Sequence, residues 1–348
     1  MMMENIYALS QDQLGETLTL WKVPKFRSKQ VWNWLYDKRV DSFQGMKNIP
    51  QSLRTKLEEN FCLGTAEVDI EQKSDDGTIK RLYRLPDGAL IEAVLMPYRD
   101  GRRTACISSQ VGCAMGCRFC ATGQMGFVRQ LRAEEIFEQA FHYSQILQAK
   151  QERLSNIVLM GMGEPFHNYD AVLQAIAMIR ERLGIGARRI TLSTVGLAPK
   201  IRKFADEGTQ INLAISLHST DNEARSALMP INKRYNLEEL IDSCRYYAQK
   251  TNRRITFEWA HIAGQNDDLD EAHRLGKLLR GLDCHVNIIP LNPTAGFEGA
   301  PSFSLRPFIE VLARYGVVAT VRVRRGIDID AGCGQLKSKK ERKVQCSP

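Results

Sequence analysis

Three cysteines in the sequence follow a CxxxCxxC spacing. Thiolates are soft ligands that commonly bind iron–sulfur clusters. Because Cys113, Cys117 and Cys120 lie within one short loop, they can bind three irons of a 4Fe-4S cubane and leave the fourth iron free. That iron can bind the amino and carboxylate groups of S-adenosylmethionine, and one electron from the cluster can cleave the sulfonium to a carbon radical. The spacing therefore predicts a radical-generating cluster.

A structural zinc site is the alternative interpretation, and it would make the chain a non-enzymatic binding protein. Zinc sites usually have four ligands in paired CxxC or Cys/His sets. The sequence places no fourth Cys or His where it would complete such a set. The cluster is therefore the favoured interpretation.

Polar residues follow several apolar, β-branched runs of the chain. Reactive residues of α/β barrels gather at the carboxyl ends of the strands, so these residues are predicted to line one site: Gly163, Glu164, Ser193, Ser216, His218 and Asn292. A glycine-rich turn capped by Glu164 and a purely structural His218 are the alternatives. Cys333, flanked by glycines after the last such run, is an accessible thiol that can act as a nucleophile.

The elements that position these residues alternate regularly. Apolar runs at 156–160, 189–193, 211–217, 255–262, 285–289 and 317–323 alternate with amphipathic stretches at 133–148, 169–183, 199–207, 237–250, 270–281 and 305–315. A further short strand is predicted at 104–108. Repeated strand–helix units predict an α/β fold with a partial (β/α)6 barrel.

The first hundred residues follow a different pattern. Residues 10–61 contain amphipathic helical stretches, and residues 63–96 alternate as a β meander. The predicted division begins with an N-terminal helical accessory domain (1–62) that has a role in RNA contact, followed by a β extension into the barrel (63–98). The barrel with the catalytic core (99–336) and a basic C-terminal tail (337–348) complete the chain.

Composition constrains the compartment and the partners. The chain has 348 residues, a formal net charge of +8 and nine cysteines. An odd number of cysteines without framework spacing fits a reducing compartment, and neither a signal-peptide pattern nor a long apolar run is present. We expect a cytoplasmic protein that does not bind membranes. Residues 320–348 carry eight Lys or Arg against three Asp or Glu, which permits a polyanionic partner but equally fits a solvated tail.

Four motifs together resemble the RlmN/Cfr family of radical S-adenosylmethionine RNA adenine methyltransferases. They are CxxxCxxC, GMGEP, SLHS and GIDIDAGCGQL, in this order. The resemblance implies a radical SAM barrel that methylates an adenine ring carbon of 23S rRNA in the peptidyl-transferase centre. The RlmN branch methylates C2, also in the adenine next to the anticodon of some tRNAs, whereas the Cfr branch methylates C8. Pro165 in GMGEP favours RlmN. A Cfr-like enzyme, or a radical SAM enzyme that does not act on RNA, is the alternative.

The same resemblance implies roles for individual residues. Cys113, Cys117 and Cys120 hold the 4Fe-4S cluster. The S-adenosylmethionine site consists of Gly163, Glu164, Ser193, Ser216, Leu217, His218 and Asn292. Two S-adenosylmethionine molecules are used per turnover. The first methylates Cys333, and the second yields a 5′-deoxyadenosyl radical that removes a hydrogen from this methyl group, so that the resulting carbon radical adds to the adenine.

Two further residues complete the implied reaction. Cys106 is the resolving thiol that forms a transient disulfide with Cys333, and Glu92 accepts the proton from the ring carbon. We expect barrel closure to bring Glu92, Cys106 and Cys333 together, since the first two flank the first barrel strand. The chain departs from the family pattern at Gly332, where the family has alanine, and by one extra residue between Glu92 and Cys106. The implied partners are ribosomal RNA, tRNA and a reducing protein such as flavodoxin or ferredoxin, and the protein is expected to be a monomer.

Overall fold

The computed structural model describes residues 3–302 and 304–337, and its first part is the predicted helical module. The helices are α1 (Gln11–Leu20), α2 (Phe26–Tyr36) and α3 (Gln51–Asn60). Strand β1 (Glu4–Asn5) pairs in parallel with β2 (Phe61–Cys62), so the two ends of the module meet. Helix α1 begins with a reciprocal capping box between Ser10 and Gln13, which satisfies backbone donors at the helix start.

A β meander follows the module, as predicted. Strands β3 (Glu67–Lys73), β4 (Ile79–Arg84) and β5 (Leu90–Pro97) are antiparallel neighbours. Strand β6 (Arg103–Cys106) pairs antiparallel with β5 and parallel with the next barrel strand. The meander therefore extends the barrel sheet directly and does not form a separate layer.

A hairpin that the sequence patterns did not reveal surrounds the cysteine loop. Strand β7 (Gln110–Gly112) pairs antiparallel with β8 (Phe127–Gln130), and the short helix α4 (Ala121–Gln124) lies between them. Gly112 has a φ of +70°, and a Cβ there would lie 2.0 Å from the carbonyl oxygen of Gly126. Only glycine permits this close approach of the two strands.

The rest of the chain forms the predicted parallel strands and outer helices. The helices are α5 (Ala133–Ala149), α6 (Tyr169–Leu183), α7 (Ala198–Asp206), α8 (Asn222–Leu228), α9 (Leu237–Thr251), α10 (Leu269–Leu279) and α11 (Leu305–Arg314). The strands are β9 (Asn156–Leu159), β10 (Ile190–Thr194), β11 (Asn212–Ser216), β12 (Ile255–His261), β13 (Cys284–Pro290) and β14 (Val318–Val321). The sheet order is β14-β13-β12-β11-β10-β9-β6-β5-β4-β3. The partial (β/α)6 barrel is thus confirmed, with β14 added at one edge.

The sheet has two open edges, β14 and β3, and the chain after β14 connects them. We call residues 322–337 the closing segment. At its start, the N–H of Arg322 donates to the carbonyl of Ile288 in β13 at 2.8 Å. Further along the segment, Asp328 accepts a hydrogen bond of 2.5 Å from Oγ of Ser74, which lies in the β3–β4 turn. The closing segment, and not pairing of β14 with β3, therefore spans the opening of the barrel.

Two buried charged side chains attach the N-terminal module to the barrel helices. Arg182 of α6 donates to the carbonyl oxygens of Tyr7 at 2.6 Å and Leu9 at 2.9 Å, and to the hydroxyl of Tyr36 at 3.0 Å. Glu138 of α5 accepts from the side-chain amide of Asn5 in the module, and from the backbone N–H groups of residues 65 and 66 directly after it at 2.8 and 2.7 Å. Because each charge bonds polar groups of the module, the module has one defined orientation.

None of the helices in the described ranges combines the length and apolar character that a membrane span requires.

We predict that Arg182→Met lowers the free energy of unfolding by about 3 kcal/mol, because it leaves two buried carbonyl oxygens without a donor. Chemical denaturation measures this change. Arg180→Met, on the exposed face of the same helix, is the matched control and should change stability by less than about 0.5 kcal/mol. Equal effects of the two variants would contradict the assigned role of Arg182.

Candidate active site

The cysteine loop is held compactly between the two strands of the β7–β8 hairpin. The N–H of Cys113 donates to the carbonyl of Gly126 at 2.8 Å, and the N–H of Cys120 donates to the carbonyl of Cys117 at 3.2 Å. Burial raises the pKa of the Cys113 thiol to about 12 and that of Cys117 well above its usual value, with further upward contributions from the neighbouring thiols. Thiols with such raised pKa values, as at Cys113 and Cys117, lose their protons more readily to a bound cation, which is the chemistry of a metal cluster.

A zinc ion and an iron–sulfur cubane require different arrangements of their thiolate ligands. In the part of the chain that the structure describes, no group of three His, Cys, Asp or Glu side chains converges as the ligands of a single metal ion would. A tetrahedral zinc requires ligands that converge on one point, with zinc–sulfur distances of about 2.3 Å. A cubane binds each thiolate through a different iron, so its ligands stand farther apart.

A cavity adjoins the cysteine loop at the carboxyl ends of the parallel strands, and we call it the main cavity. Both Cys117 and Cys120 form part of its wall. Six of the seven residues predicted for the S-adenosylmethionine site also line it: Gly163, Glu164, Ser193, Ser216, His218 and Asn292. The structure thus brings these residues together beside the cysteines, as the sequence predicted.

Leu217 is the exception among the seven. Its side chain is fully buried and is absent from the cavity wall. Its N–H donates to the carbonyl of Glu258 at 3.1 Å, and its carbonyl accepts from Arg225 Nε at 3.0 Å. Leu217 therefore supports the neighbouring Ser216 and His218 through its backbone and packing.

Glu164 presents a buried carboxyl group at the cavity wall. It accepts the N–H groups of Phe166 at 2.9 Å and Val195 at 2.8 Å. Burial raises its pKa to about 7, although these hydrogen bonds act in the opposite direction. The preceding Gly163 has a φ of +103°, and a Cβ there would lie 2.6 Å from the side chain of Gln110. The glycine lets the turn approach β7, which places the carboxylate where an amino group can bind it.

His218 and Asn292 have different roles in the wall. His218 Nδ1 accepts the N–H of Ala260 at 2.8 Å, and burial lowers its pKa to about 3, with Arg225 contributing further. It is therefore a neutral side chain in the cavity wall, and the backbone of β12 fixes the orientation of its ring. Asn292 donates to the carbonyl of Cys333 at 3.0 Å, whereas its buried Oδ1 has no hydrogen-bond partner among the described residues. This oxygen is available to a ligand in the cavity.

A carboxylate that sequence reasoning missed also lines the main cavity. Glu258 lies inside β12, is 5% exposed, and accepts from Asn287 Nδ2 at 2.8 Å. Burial raises its pKa, while Arg322, at 3.9 Å, acts to lower it. The sequence analysis missed Glu258 because it lies in the middle of a strand and not at its end. A single acidic residue in the apolar run ITFEWAHI nevertheless indicates a buried carboxylate.

A second cavity lies behind Cys333, and we call it the thiol cavity. Its wall includes Cys106, Cys333 and Arg322. Cys333 also lines the main cavity, as do Met160, Ile289, Asn292 and Leu336, so it belongs to the wall that the two cavities share. The residue keeps an exposed surface because it faces both cavities, yet surrounding protein atoms desolvate its thiol and raise its pKa.

Cys106 and Cys333 are brought together as the sequence predicted. Burial raises the pKa of Cys106 to about 12, the nearby Cys333 raises it further, and the Arg322 guanidinium acts to lower it. Every cysteine that the structure describes is a free thiol. One cation, the Arg322 guanidinium, therefore acts on both sulfur atoms.

Glu92 lies inside β5 and does not line either cavity. One oxygen of its buried carboxylate accepts the N–H of Lys337 at 3.0 Å, and the other is 3.6 Å from Lys80 Nζ. The end of the closing segment therefore covers Glu92. The structure places it against the end of the closing segment but does not bring it to the cavity wall.

Comparisons with known proteins agree with this geometry. Residues 107–276 match the model of the radical SAM superfamily, and residues 4–63 match that of the ribosomal RNA large subunit methyltransferase N-terminal domain. The chain is 51% identical to dual-specificity RNA methyltransferase RlmN 1 of Myxococcus xanthus, covering 99% of this chain and 97% of that protein. The chain belongs to the RlmN family.

Other relatives extend this result. A probable dual-specificity RNA methyltransferase RlmN of Staphylococcus aureus (strain MW2) is 46% identical over 98% of this chain and 94% of that protein. A crystal structure of a radical SAM methyltransferase from Sphaerobacter thermophilus is 44% identical and superimposes with a TM-score of 0.93, covering 97% of this chain and all of that one. As an RlmN family member, the chain is a radical SAM RNA methyltransferase with a 4Fe-4S cluster and S-adenosylmethionine as cofactors, and the Cfr-like alternative is not favoured.

We predict that Glu164→Gln weakens S-adenosylmethionine binding and removes its pH dependence. In the wild type, the raised pKa of about 7 means that the carboxyl group becomes protonated as the pH falls below 7, and a neutral carboxyl binds an amino group poorly. Affinity should therefore fall by about tenfold per pH unit below pH 7. Equilibrium binding to the cluster-loaded protein measures this.

Glu181→Gln, on the exposed face of α6, is the matched control and should retain the wild-type pH profile. A Glu164→Gln variant that binds with wild-type affinity at pH 8 would contradict the role given to Glu164.

Proposed function

We propose that this RlmN family protein methylates ring carbon C2 of an adenine in the peptidyl-transferase centre of 23S rRNA and of the adenine next to the anticodon in some tRNAs. The observation that carries the proposal is the position of Cys333 between the main cavity and the thiol cavity. A ring carbon of adenine is electron-poor and is not a nucleophile. Its methylation therefore needs a residue that carries the carbon, reacts at the main cavity and is released at the thiol cavity.

The residues around the main cavity are proposed to hold the cofactors. Cys113, Cys117 and Cys120 hold the cluster, and the cavity wall around Glu164 and Asn292 holds S-adenosylmethionine. When bound, this pair of cofactors supplies the methyl group of Cys333 and the radical that activates it, with two S-adenosylmethionine molecules per turnover. The buried carboxylate and the unpaired amide oxygen of these two residues support this assignment.

The residues around the thiol cavity are proposed to release the product. The radical adduct loses the ring proton and one electron, which the cluster would take back when bound, and Cys333 is then joined to the adenine through its transferred carbon. Attack of the Cys106 sulfur on the Cys333 sulfur forms an S–S bond and breaks the bond between sulfur and that carbon, whose electron pair then takes a proton to complete the methyl group. The Arg322 guanidinium beside both sulfurs favours the attacking thiolate. The resulting disulfide is reduced before the next turnover.

Glu92 is proposed to accept the proton from the ring carbon. Its carboxylate contacts the N–H of Lys337 at the end of the closing segment. Displacement of this end by RNA would expose the carboxylate towards Cys333. The target adenine must leave its stack to reach such a site, as in other enzymes that act on a base.

The proposed RNA contacts follow the distribution of positive charge. Arg324 and Arg325, which line the thiol cavity together with Arg322, can bind phosphates beside the flipped base. Residues 338–348 of the proposed basic tail lie outside the described residues. The division into 1–62, 63–98, 99–336 and 337–348 remains our proposal, as do a cytoplasmic location, a monomeric state, and flavodoxin or ferredoxin as electron donor.

We predict that the reconstituted enzyme converts adenine to 2-methyladenine in unmodified 23S rRNA and in a subset of tRNAs, whereas Cys333→Ala forms none in either. Mass spectrometry of RNA nucleosides measures the product. Cys62→Ala, remote from the barrel mouth in β2, is the matched control and should retain wild-type activity. Methylation at C8, or turnover by Cys333→Ala, would contradict the proposal.

A further inference from the structure

Lys80 is a buried lysine that the reaction described so far does not use. It lies in β4 and is 7% exposed. Its Nζ is 3.6 Å from Oε1 of Glu92 and 3.4 Å from the carbonyl oxygen of Asp330. A buried ammonium is costly unless it is paired, and both of its partners belong to the catalytic region.

These two contacts join separate parts of the site. Glu92 lies on the neighbouring strand, opposite Leu82 in the β4–β5 register. Asp330 lies in the closing segment, three residues before Cys333. Lys80 therefore contacts both Glu92, the proposed proton acceptor, and the closing segment, which carries the reacting sulfur of Cys333.

We propose that Lys80 is a positioning residue that acts through Glu92 in the proton-transfer step. This inference rests on the proposed function. The ammonium fixes one carboxylate oxygen and leaves the second for the proton of the ring carbon once the Lys337 N–H has moved away. It also supplies a counter-charge in a buried environment, where charge interactions are stronger than in water. Lys80 does not touch the substrate.

The proposal separates two stages of the reaction. Methylation of Cys333 and its attachment to RNA do not require a proton acceptor for the ring carbon, so they do not require Lys80. Release of the product does require one. A variant that lacks the Lys80 charge should therefore form the covalent protein–RNA adduct normally and lose it slowly.

The experiment measures the lifetime of this adduct. Cluster-loaded full-length enzyme reacts once with unmodified 23S rRNA, and the covalent complex is followed by denaturing electrophoresis. General bases contribute about 10²- to 10⁴-fold to a rate, so Lys80→Met should slow adduct release by about tenfold or more. Lys80→Arg, which keeps the charge, should restore part of the rate. Lys73→Met, at the exposed end of β3, is the matched control and should release the adduct at the wild-type rate.

A double variant tests whether Lys80 acts through Glu92. In a Glu92→Gln background, Lys80→Met should slow release no further, because the two residues act as one unit. This pair also leaves no buried unpaired charge, so it serves as the test if Lys80→Met alone does not fold. A wild-type adduct lifetime for Lys80→Met, or an equal further slowing in the Glu92→Gln background, would overturn the inference.

The Cys106→Ala variant distinguishes failure of the Lys80 inference from failure of the proposed function. It should trap the adduct, since it lacks the attacking thiol. If Cys106→Ala traps no adduct, the covalent route itself is wrong, and the role of Lys80 falls with it.

Discussion

The position of Cys333 depends on the contacts that tie the closing segment to the β3–β4 side of the sheet and to helix α4 beside the cysteine loop. The parallel sheet stops at β14 and cannot reach β3 by pairing, so the opening is spanned by irregular chain. Ser74 bonds Asp328, Lys80 bonds the carbonyl of Asp330, and Thr122 bonds the carbonyl of Leu336 at 2.6 Å. Each of these bonds joins groups far apart in sequence. Together they hold one thiol between two cavities, where it can face a cofactor on one side and a second thiol on the other.

Buried charge is the second property on which the site depends. Glu164, Glu258 and Arg322 lie in surroundings from which water is largely removed, and burial is the largest influence on the pKa of each. Such groups are costly without partners. Glu258 and Arg322 partly satisfy each other, whereas Glu164 relies on neutral backbone donors. Binding of a cationic or amino ligand is therefore stabilised most at Glu164, and the charged form of a thiol is stabilised most beside Arg322.

Much of the fold was predictable because its strands and helices have strong local periodicity. The predicted helix at 169–183 coincides with α6 (Tyr169–Leu183). The cavity residues were predictable because they follow strands, and parallel strands end at the same edge. Leu217 was included only because it belongs to a family motif, and its side chain packs into the core.

The remaining features depend on contacts between residues distant in sequence. Lys80 and Glu258 lie inside strands, where the sequence pattern indicates only burial. The pairing of Arg322 with Glu258 joins β12 to the closing segment and has no local signature. The β7–β8 hairpin depends on the close approach of Gly112 and Gly126, which the glycines alone do not reveal. The covering of Glu92 by Lys337 could be learned only from the structure.

The central claim is that Cys333 carries the transferred carbon. It is tested most directly by incubating the cluster-loaded protein with S-adenosylmethionine labelled in its methyl group and locating the label in peptides by mass spectrometry. The account predicts label on Cys333 alone, and transfer of that labelled carbon to RNA on addition of substrate. Label on another residue, or labelled RNA formed by protein whose Cys333 never acquires label, would contradict it.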